Sequence, residues 1–288
     1  MTMHSTADQS RPWTFYALAA FFTLFVLFLY GPMIVIYVLS FQGPDGGLTF
    51  PLQGVSLHWF DALIKQERTG DIAGAFRRSI GLAAMVTVLT VVLSVMAGLA
   101  FRRRFAGAGL VFYMAIASLI MPGLFVSLGI GLVFQMLGVT PTWYGSALGA
   151  QLTWTLPYGL LIMFAVLGRF NRAYEEAASD LGASNWQRLR HVTLPIVLPG
   201  IIGVALFGFT LSYDEFPRTV LTSGSSNTLP LEIWAMTTDV TSPALFAVGT
   251  VTTVISFIVI GLALTSIALI ERRRLRRVSS LDESSTVG

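Results

Sequence analysis

The chain has 288 residues, 54% of them hydrophobic and only 11% charged, with a mean hydropathy of +0.72. A soluble domain carries about 25% charged residues, so an ordinary water-soluble globule is excluded, and lipid or other subunits must cover most of the surface. The net charge of +3 does not point to nucleic acid, because the basic residues stand between apolar runs rather than along one stripe, and the absence of cysteine excludes disulfides, thiol catalysis and Cys-rich metal sites.

A helix needs about 20 predominantly apolar residues to cross the hydrocarbon of a bilayer. The run from Pro12 to Pro44, free of ionisable Asp, Glu, Lys, Arg and His, predicts a first span over 14–41. It exceeds the roughly 7–15 residues of a signal-peptide core and has only Arg11 as a basic flank, so an uncleaved span is expected. Ser56–Lys65 then sets Leu57, Phe60 and Ile64 on one helical face, a pattern suited to the outer membrane interface. The second span is predicted over 79–101.

Phe105–Gly168 is too long for one crossing and breaks at Gly138-Val139-Thr140-Pro141, a turn signature, giving spans over 109–137 and 145–168. The third carries Met121-Pro122-Gly123 near its middle, with Gly129 and Gly131 beyond, residues that permit kinks and close packing. The last two spans are predicted over 192–213 and 240–270, and a Ser-rich tail over 279–288 reads as disordered. The expected fold is all-α: one polytopic membrane domain over 1–278 with about six transmembrane helices and no internal repeat.

Lys/Arg bias sets the orientation. With the N-terminus inside, thirteen basic residues fall on the cytoplasmic side: Arg11, Arg102, Arg103, Arg104, Arg169, Arg172, Arg188, Arg190, Arg272, Arg273, Arg274, Arg276 and Arg277. The other five, Lys65, Arg68, Arg77, Arg78 and Arg218, fall outside, so both termini are expected in the cytoplasm.

The polar insert Asn171–His191, between the fourth and fifth spans, is the most informative segment. Glu175 and Glu176 stand near the start of a short helix ending at Asp180, where carboxylates favour the positive end of the dipole. Ala177 and Ala178 leave one side flat, Gly182 takes the place of a left-handed terminating residue, and Ser184 with Gln187 forms a capping box for a second short helix through His191. Pro195 is expected to begin the next span.

Glu176-Ala177-Ala178-x3-Gly182-x9-Val192-x-Leu194-Pro195 resembles the EAA loop, E-A-A-x3-G-x9-I-x-L-P, of binding-protein-dependent ABC importer permeases of type I, with Val192 in place of Ile. The resemblance implies that Glu175, Glu176, Ala177, Ala178, Asp180 and Gly182 belong to a coupling helix that docks on an ATPase. It implies a second permease chain, of different sequence, two ATPase subunits holding ATP and Mg²⁺, and an external solute-binding protein, all at a bacterial cytoplasmic (inner) membrane and in contact with its lipid. The chain itself contains no G-x-x-x-x-G-K-[ST] phosphate loop, H-E-x-x-H or G-x-S-x-G, and its three histidines, His4, His58 and His191, are scattered. No catalytic residue, bound cofactor, metal or nucleic acid is therefore expected of it.

Ser212-Tyr213-Asp214-Glu215 and Thr228-Leu229-Pro230-Leu231-Glu232-Ile233-Trp234 resemble the spermidine/putrescine branch of these permeases. That resemblance implies a polyamine substrate met by Asp214 and Glu215, with Tyr213, Trp154 and Tyr158 as aromatic partners by ion pairing and cation–π contact. Trp154 and Tyr158 flank Pro157, which can open a helix backbone. Two alternatives stay open: the two carboxylates pair with Arg218, and the two aromatics serve only packing. An ABC permease for another small solute, an amino acid, sugar or anion, shares most of this architecture, whereas a secondary transporter or channel would call for an inverted repeat or mid-span ionisable residues.

Overall fold

A computed structural model of the protein describes residues 12–65, 70–103, 105–239 and 242–286. The helices in chain order are α1 (Trp13–Leu39), α2 (His58–Lys65), α3 (Ile72–Phe101), α4 (Ala108–Ile120), α5 (Gly123–Met136), α6 (Ser146–Gly168), α7 (Ala173–Asp180), α8 (Asn185–Arg188), α9 (Leu194–Tyr213), α10 (Leu229–Asp239) and α11 (Ala244–Thr286). A π-helical turn, Leu189–Thr193, joins α8 to α9. Among the described residues, five helices are long and apolar enough to cross a membrane, and the bent pair α4–α5 makes a sixth candidate. The chain divides into two compact units, Met1–Lys65 with Thr241–Thr252, and Gln66–Val240 with Thr253–Gly288.

Within α1, which belongs to the first unit, Leu39 alone is buried, as suits a helix whose apolar surface meets lipid or another chain. Beyond α1, Gln42 forms an isolated β-bridge with Val55. Its fully buried side chain donates to Gly47 O at 3.1 Å and accepts from Gln53 N at 2.8 Å, closing the loop before α2. In α2, Leu57 beside the helix start and Ile64 near its end are exposed, while Ala62 and Leu63 are buried.

The second unit is built on α3, α6 and α9, which pack against one another, with α4, α5 and α10 added to that trio. Met163 and Leu167 of α6 join Val197 and Val204 of α9 in a buried cluster, with Val91, Val95 and Leu99 of α3 against it. The Thr90 and Thr155 hydroxyls, buried and 2.7 Å apart, tie α3 to α6. A hydrogen bond of this kind satisfies polar groups that lipid cannot.

The structure departs from the sequence reading at five places, each for a local reason. Helix α3 starts at Ile72 rather than 79, because Asp71 caps it, accepting from Gly74 N at 3.0 Å and pairing with Arg78 at 2.9 Å; the charges of Arg77 and Arg78 hide this first turn from a charge-free window. The predicted third span is two helices meeting at 106° across Met121 and Pro122, where a proline cannot continue the hydrogen-bond ladder. Pro195 does stand in the first turn of α9, but the helix does not start afresh there: α8, the π turn and α9 run on as one helix over Asn185–Tyr213. Pro157 does not open α6 either, since Ser118 Oγ donates at 2.9 Å to Thr153 O, the carbonyl that the proline leaves without a helical partner. Helix α11 starts at Ala244 and continues to Thr286 through the tail predicted to be disordered, because extending a formed helix costs far less than nucleating one.

Candidate functional site: a docking loop and an acidic, aromatic path

The insert folds as a helix, a tight turn and a second helix. Leu181 ends α7, Gly182 follows at φ 82°, and Gly182 N and Ala183 N donate to Ser179 O at 2.9 Å and Ala178 O at 3.0 Å. This is a Schellman closure, which needs a left-handed residue where Gly182 stands. Ser184 Oγ then accepts from Gln187 N at 3.3 Å, and Gln187 Oε1 accepts from Ser184 N at 2.8 Å, the predicted reciprocal cap.

The two carboxylates at the start of α7 part company. Glu176, Ala177, Asp180 and Gly182 are exposed and Ala178 half-buried. Glu175 turns inward, its two oxygens accepting from the Nη1 and Nη2 of Arg102 at 2.8 Å each and from Thr193 Oγ1 at 2.5 Å. The Arg102 hydrogen bonds, with help from Thr193, hold the Glu175 carboxyl below the ordinary value of 4.5 despite partial burial. Glu175 thus joins α7 to the end of α3 and to the π turn before α9, while Tyr174, Leu181 and Trp186 of the insert expose apolar surface. Arg102 and Thr193 were not identified from sequence: they lie 73 and 18 residues from Glu175, beyond any local motif.

The second group of residues gathers where α9 ends. Asp214 is exposed and makes no ion pair among the described residues. Glu215 is buried, and Arg218, also buried, stands 3.4 Å from it and donates its backbone N–H to the same oxygen at 3.0 Å. Of the two carboxylates only Glu215 therefore pairs with Arg218. The Arg218 guanidinium lies over the ring of Trp154, 4.4 Å from its centroid. Trp154 meets Tyr158 edge-on at 5.0 Å, and Tyr158 stacks on Phe207 at 6.3 Å. Tyr213 faces elsewhere, buried and stacked on Phe209 at 5.8 Å; Glu215, Trp154 and Tyr158 are linked through Arg218, and Asp214 is joined to them only as the chain neighbour of Glu215.

Polar groups fix the segment that carries these carboxylates. Gln151 Nε2 donates to Thr219 Oγ1 at 2.9 Å, and Ser212 Oγ donates to Gln151 Oε1. Ser146 Oγ donates to Thr222 O at 2.7 Å, and Leu221 N to Ser127 Oγ at 3.0 Å. Downstream, Leu229 N donates to Ser79 Oγ at 2.8 Å, and Glu232 accepts from Asp71 N at 3.1 Å and Asn227 Nδ2 at 2.8 Å. Glu232 is thus occupied in fastening α10 to the start of α3. Gln151, Ser146 and Ser127 carry no sequence signal, since single small polar residues in apolar helices mark no particular contact.

Residues 90–277 match the family described as "Binding-protein-dependent transport system inner membrane component". The chain is 28% identical over 242 residues to the spermidine/putrescine transport system permease protein PotC of Escherichia coli K12, covering 83% of this chain and 89% of that one. It is also 28% identical over 289 residues to the putrescine transport system permease protein PotI of the same organism, covering 96% and 98%. Among solved structures, a bacterial ABC transporter involved in import of the acidic polysaccharide alginate superposes with a TM-score of 0.71 at 17% identity, over 91% of this chain and 98% of that one. The methionine ABC transporter MetNI, in an inward-facing conformation, gives 0.55 at 14% identity over 75% and 99%. These two likenesses concern the fold alone.

Proposed function

The chain belongs to the family of binding-protein-dependent transport system inner membrane components, and on that premise we propose that it forms part of the path by which an ABC importer carries a polyamine such as putrescine or spermidine. The observation that carries the choice of substrate is the exposed carboxylate of Asp214 at the end of α9, adjacent in the chain to Glu215, whose partner Arg218 lies over the face of Trp154. A flexible alkyl chain bearing ammonium groups is recognised by carboxylates and ring faces together. The relatives named for spermidine and putrescine transport support the same reading.

In this reading a second, different permease chain completes the path. Two ATPase subunits hold ATP and Mg²⁺, and an external binding protein delivers the solute. Both termini lie in the cytoplasm of a bacterial cell, as the thirteen-to-five basic bias supports. Helix α7 presents Glu176 and Ala177 to the ATPase, and the Gly182 turn with exposed Leu181 and Trp186 extends that face. Movement of α7 reaches α3 through the Glu175–Arg102 pair and α9 through Thr193 and the continuous α8–α9 helix. The chain makes and breaks no covalent bond.

The test is uptake of labelled putrescine by proteoliposomes holding the assembled importer, with polyamines, amino acids, sugars and anions as competitors. Competition by di- and polyamines alone is expected; competition by a neutral or anionic solute instead overturns the substrate assignment.

A further inference from the structure

Arg218 belongs to the wall of this same region, and its hydrogen bonding is poor for so buried a cation. A guanidinium carries five donors in a fixed fork, and a buried ion pair repays its desolvation only when those donors are well used. Arg218 is 4% exposed. Its Nη1 stands 3.4 Å from Glu215 Oε1 and its Nη2 3.4 Å from Met121 O, both at the long limit for a hydrogen bond. Its Nε has no partner among the described residues. Charge and the face of Trp154, 4.4 Å away, are what hold the group. Those are the two contacts that an alkylammonium would make.

We propose that Arg218 is a tethered stand-in for the substrate: its guanidinium fills an ammonium box formed by Glu215 and Trp154, and an incoming ammonium group displaces it. The proposal rests on the polyamine reading above. Glu215 without a cation would be a buried, uncompensated carboxylate, a costly state. Exchanging a guanidinium for an ammonium replaces like charge with like charge, so the box stays neutralised throughout. The exchange is also felt elsewhere. Arg218 touches Met121 O at the 106° break between α4 and α5. At Gly123, just beyond that break, a Cβ would stand 2.9 Å from Pro217 Cβ and 3.0 Å from Arg218 Nη1. Withdrawal of Arg218 loosens both contacts, so occupancy of the box is transmitted to the bent helix pair. Arg218 acts here as a specificity-determining and positioning residue.

The test measures cation affinity of the complete importer in lipid nanodiscs without its binding protein, with putrescine and n-butylammonium as probes. Arg218→Gln is expected to bind both about tenfold more tightly than wild type, the scale of one modest ion-pair competition. Arg218→Lys, which keeps the charge, should fall between them, and the double variant E215Q/R218Q should lose the gain. If Arg218→Gln fails to assemble, either cation present during purification should restore it, and E215Q/R218Q should assemble without them. Unchanged or weaker binding by an assembled Arg218→Gln, or a failure that neither cation rescues, overturns the proposal. A gain for n-butylammonium in an importer that transports no polyamine overturns the substrate reading and keeps the box; polyamine transport with no gain overturns the box alone.

Discussion

Glu175 and Arg102 meet in a two-point contact, each carboxylate oxygen 2.8 Å from a guanidinium nitrogen, across 73 residues of sequence. Such paired, charge-assisted bonds are the strong ones among protein hydrogen bonds, and both side chains are largely withdrawn from solvent. Arg102→Ala is expected to remove about 1.5–3 kcal/mol of local stability from α7. The loss should appear as faster proteolysis of the segment 171–190 in membranes where the spans stay inserted, together with reduced ATP hydrolysis in response to the binding protein. Wild-type proteolysis of Arg102→Ala would remove the pair from the coupling account.

The same pair sets a pH dependence. The Glu175 carboxyl titrates below its ordinary value of 4.5, chiefly because Arg102 hydrogen-bonds its charged form. A depressed carboxylate pKa contributes stability that is complete above the ordinary value and is lost as pH falls through the depressed one. A spin label at Ala177→Cys should therefore report an equally ordered α7 at every pH above 4.5 and a loosening only below it. In Glu175→Gln the label should be more mobile already at neutral pH and show no such acid transition.

Gly182 stands at φ 82° with nothing within 4 Å of the position a Cβ would take, so any penalty for a side chain there comes from the backbone alone. Gly182→Val should cost about 1–2 kcal/mol and tilt the docking face, whereas Gly182→Asn, which tolerates this conformation better, should be milder. Glu176→Lys places the wrong charge near the start of α7. Each valine or lysine variant should insert normally and lose most of its transport-coupled ATP hydrolysis; full stimulation in both would argue against docking through this turn.

Much of this architecture was legible because it is local. Apolar run length disclosed the spans, and the Ser184–Gln187 spacing disclosed the cap that the structure bears out. Met121-Pro122-Gly123 marked a place where a helix can bend. At this 106° bend Pro217 and Arg218 also come close to Gly123, and that approach between distant segments has no signature in either of them. The same limit hid the partners of Glu175 and Glu215. Acidic residues in the sequence invite a reading as ligands, and only the fold separates the inward Glu175 from the exposed Glu176, or the paired Glu215 from Asp214. The start of α3 was missed for the opposite reason: Asp71 and Arg78 satisfy each other, so charges that looked like a loop belong to a helix and its cap.

Orientation is open to direct measurement, because the chain lacks cysteine and each introduced thiol is a clean reporter. Ser184 and Ser225 are both exposed. Ser225→Cys should react with an impermeant thiol reagent in intact cells and Ser184→Cys only after permeabilisation. The reverse pattern would invert the topology and with it the assignment of the docking loop.

The most direct measurement is the initial rate of putrescine uptake, against putrescine concentration, in proteoliposomes holding the assembled importer with wild-type chain or with Asp214→Asn. That substitution keeps the side chain's size and removes its charge. Loss of one ion pair to an ammonium group costs about 1.5–3 kcal/mol, roughly tenfold to a hundredfold in affinity. The account predicts saturable, ATP-driven uptake by the wild type and a half-saturation concentration raised by about that factor in Asp214→Asn. Absence of polyamine uptake by the wild-type importer, or unaltered uptake by Asp214→Asn at equal abundance, would contradict it.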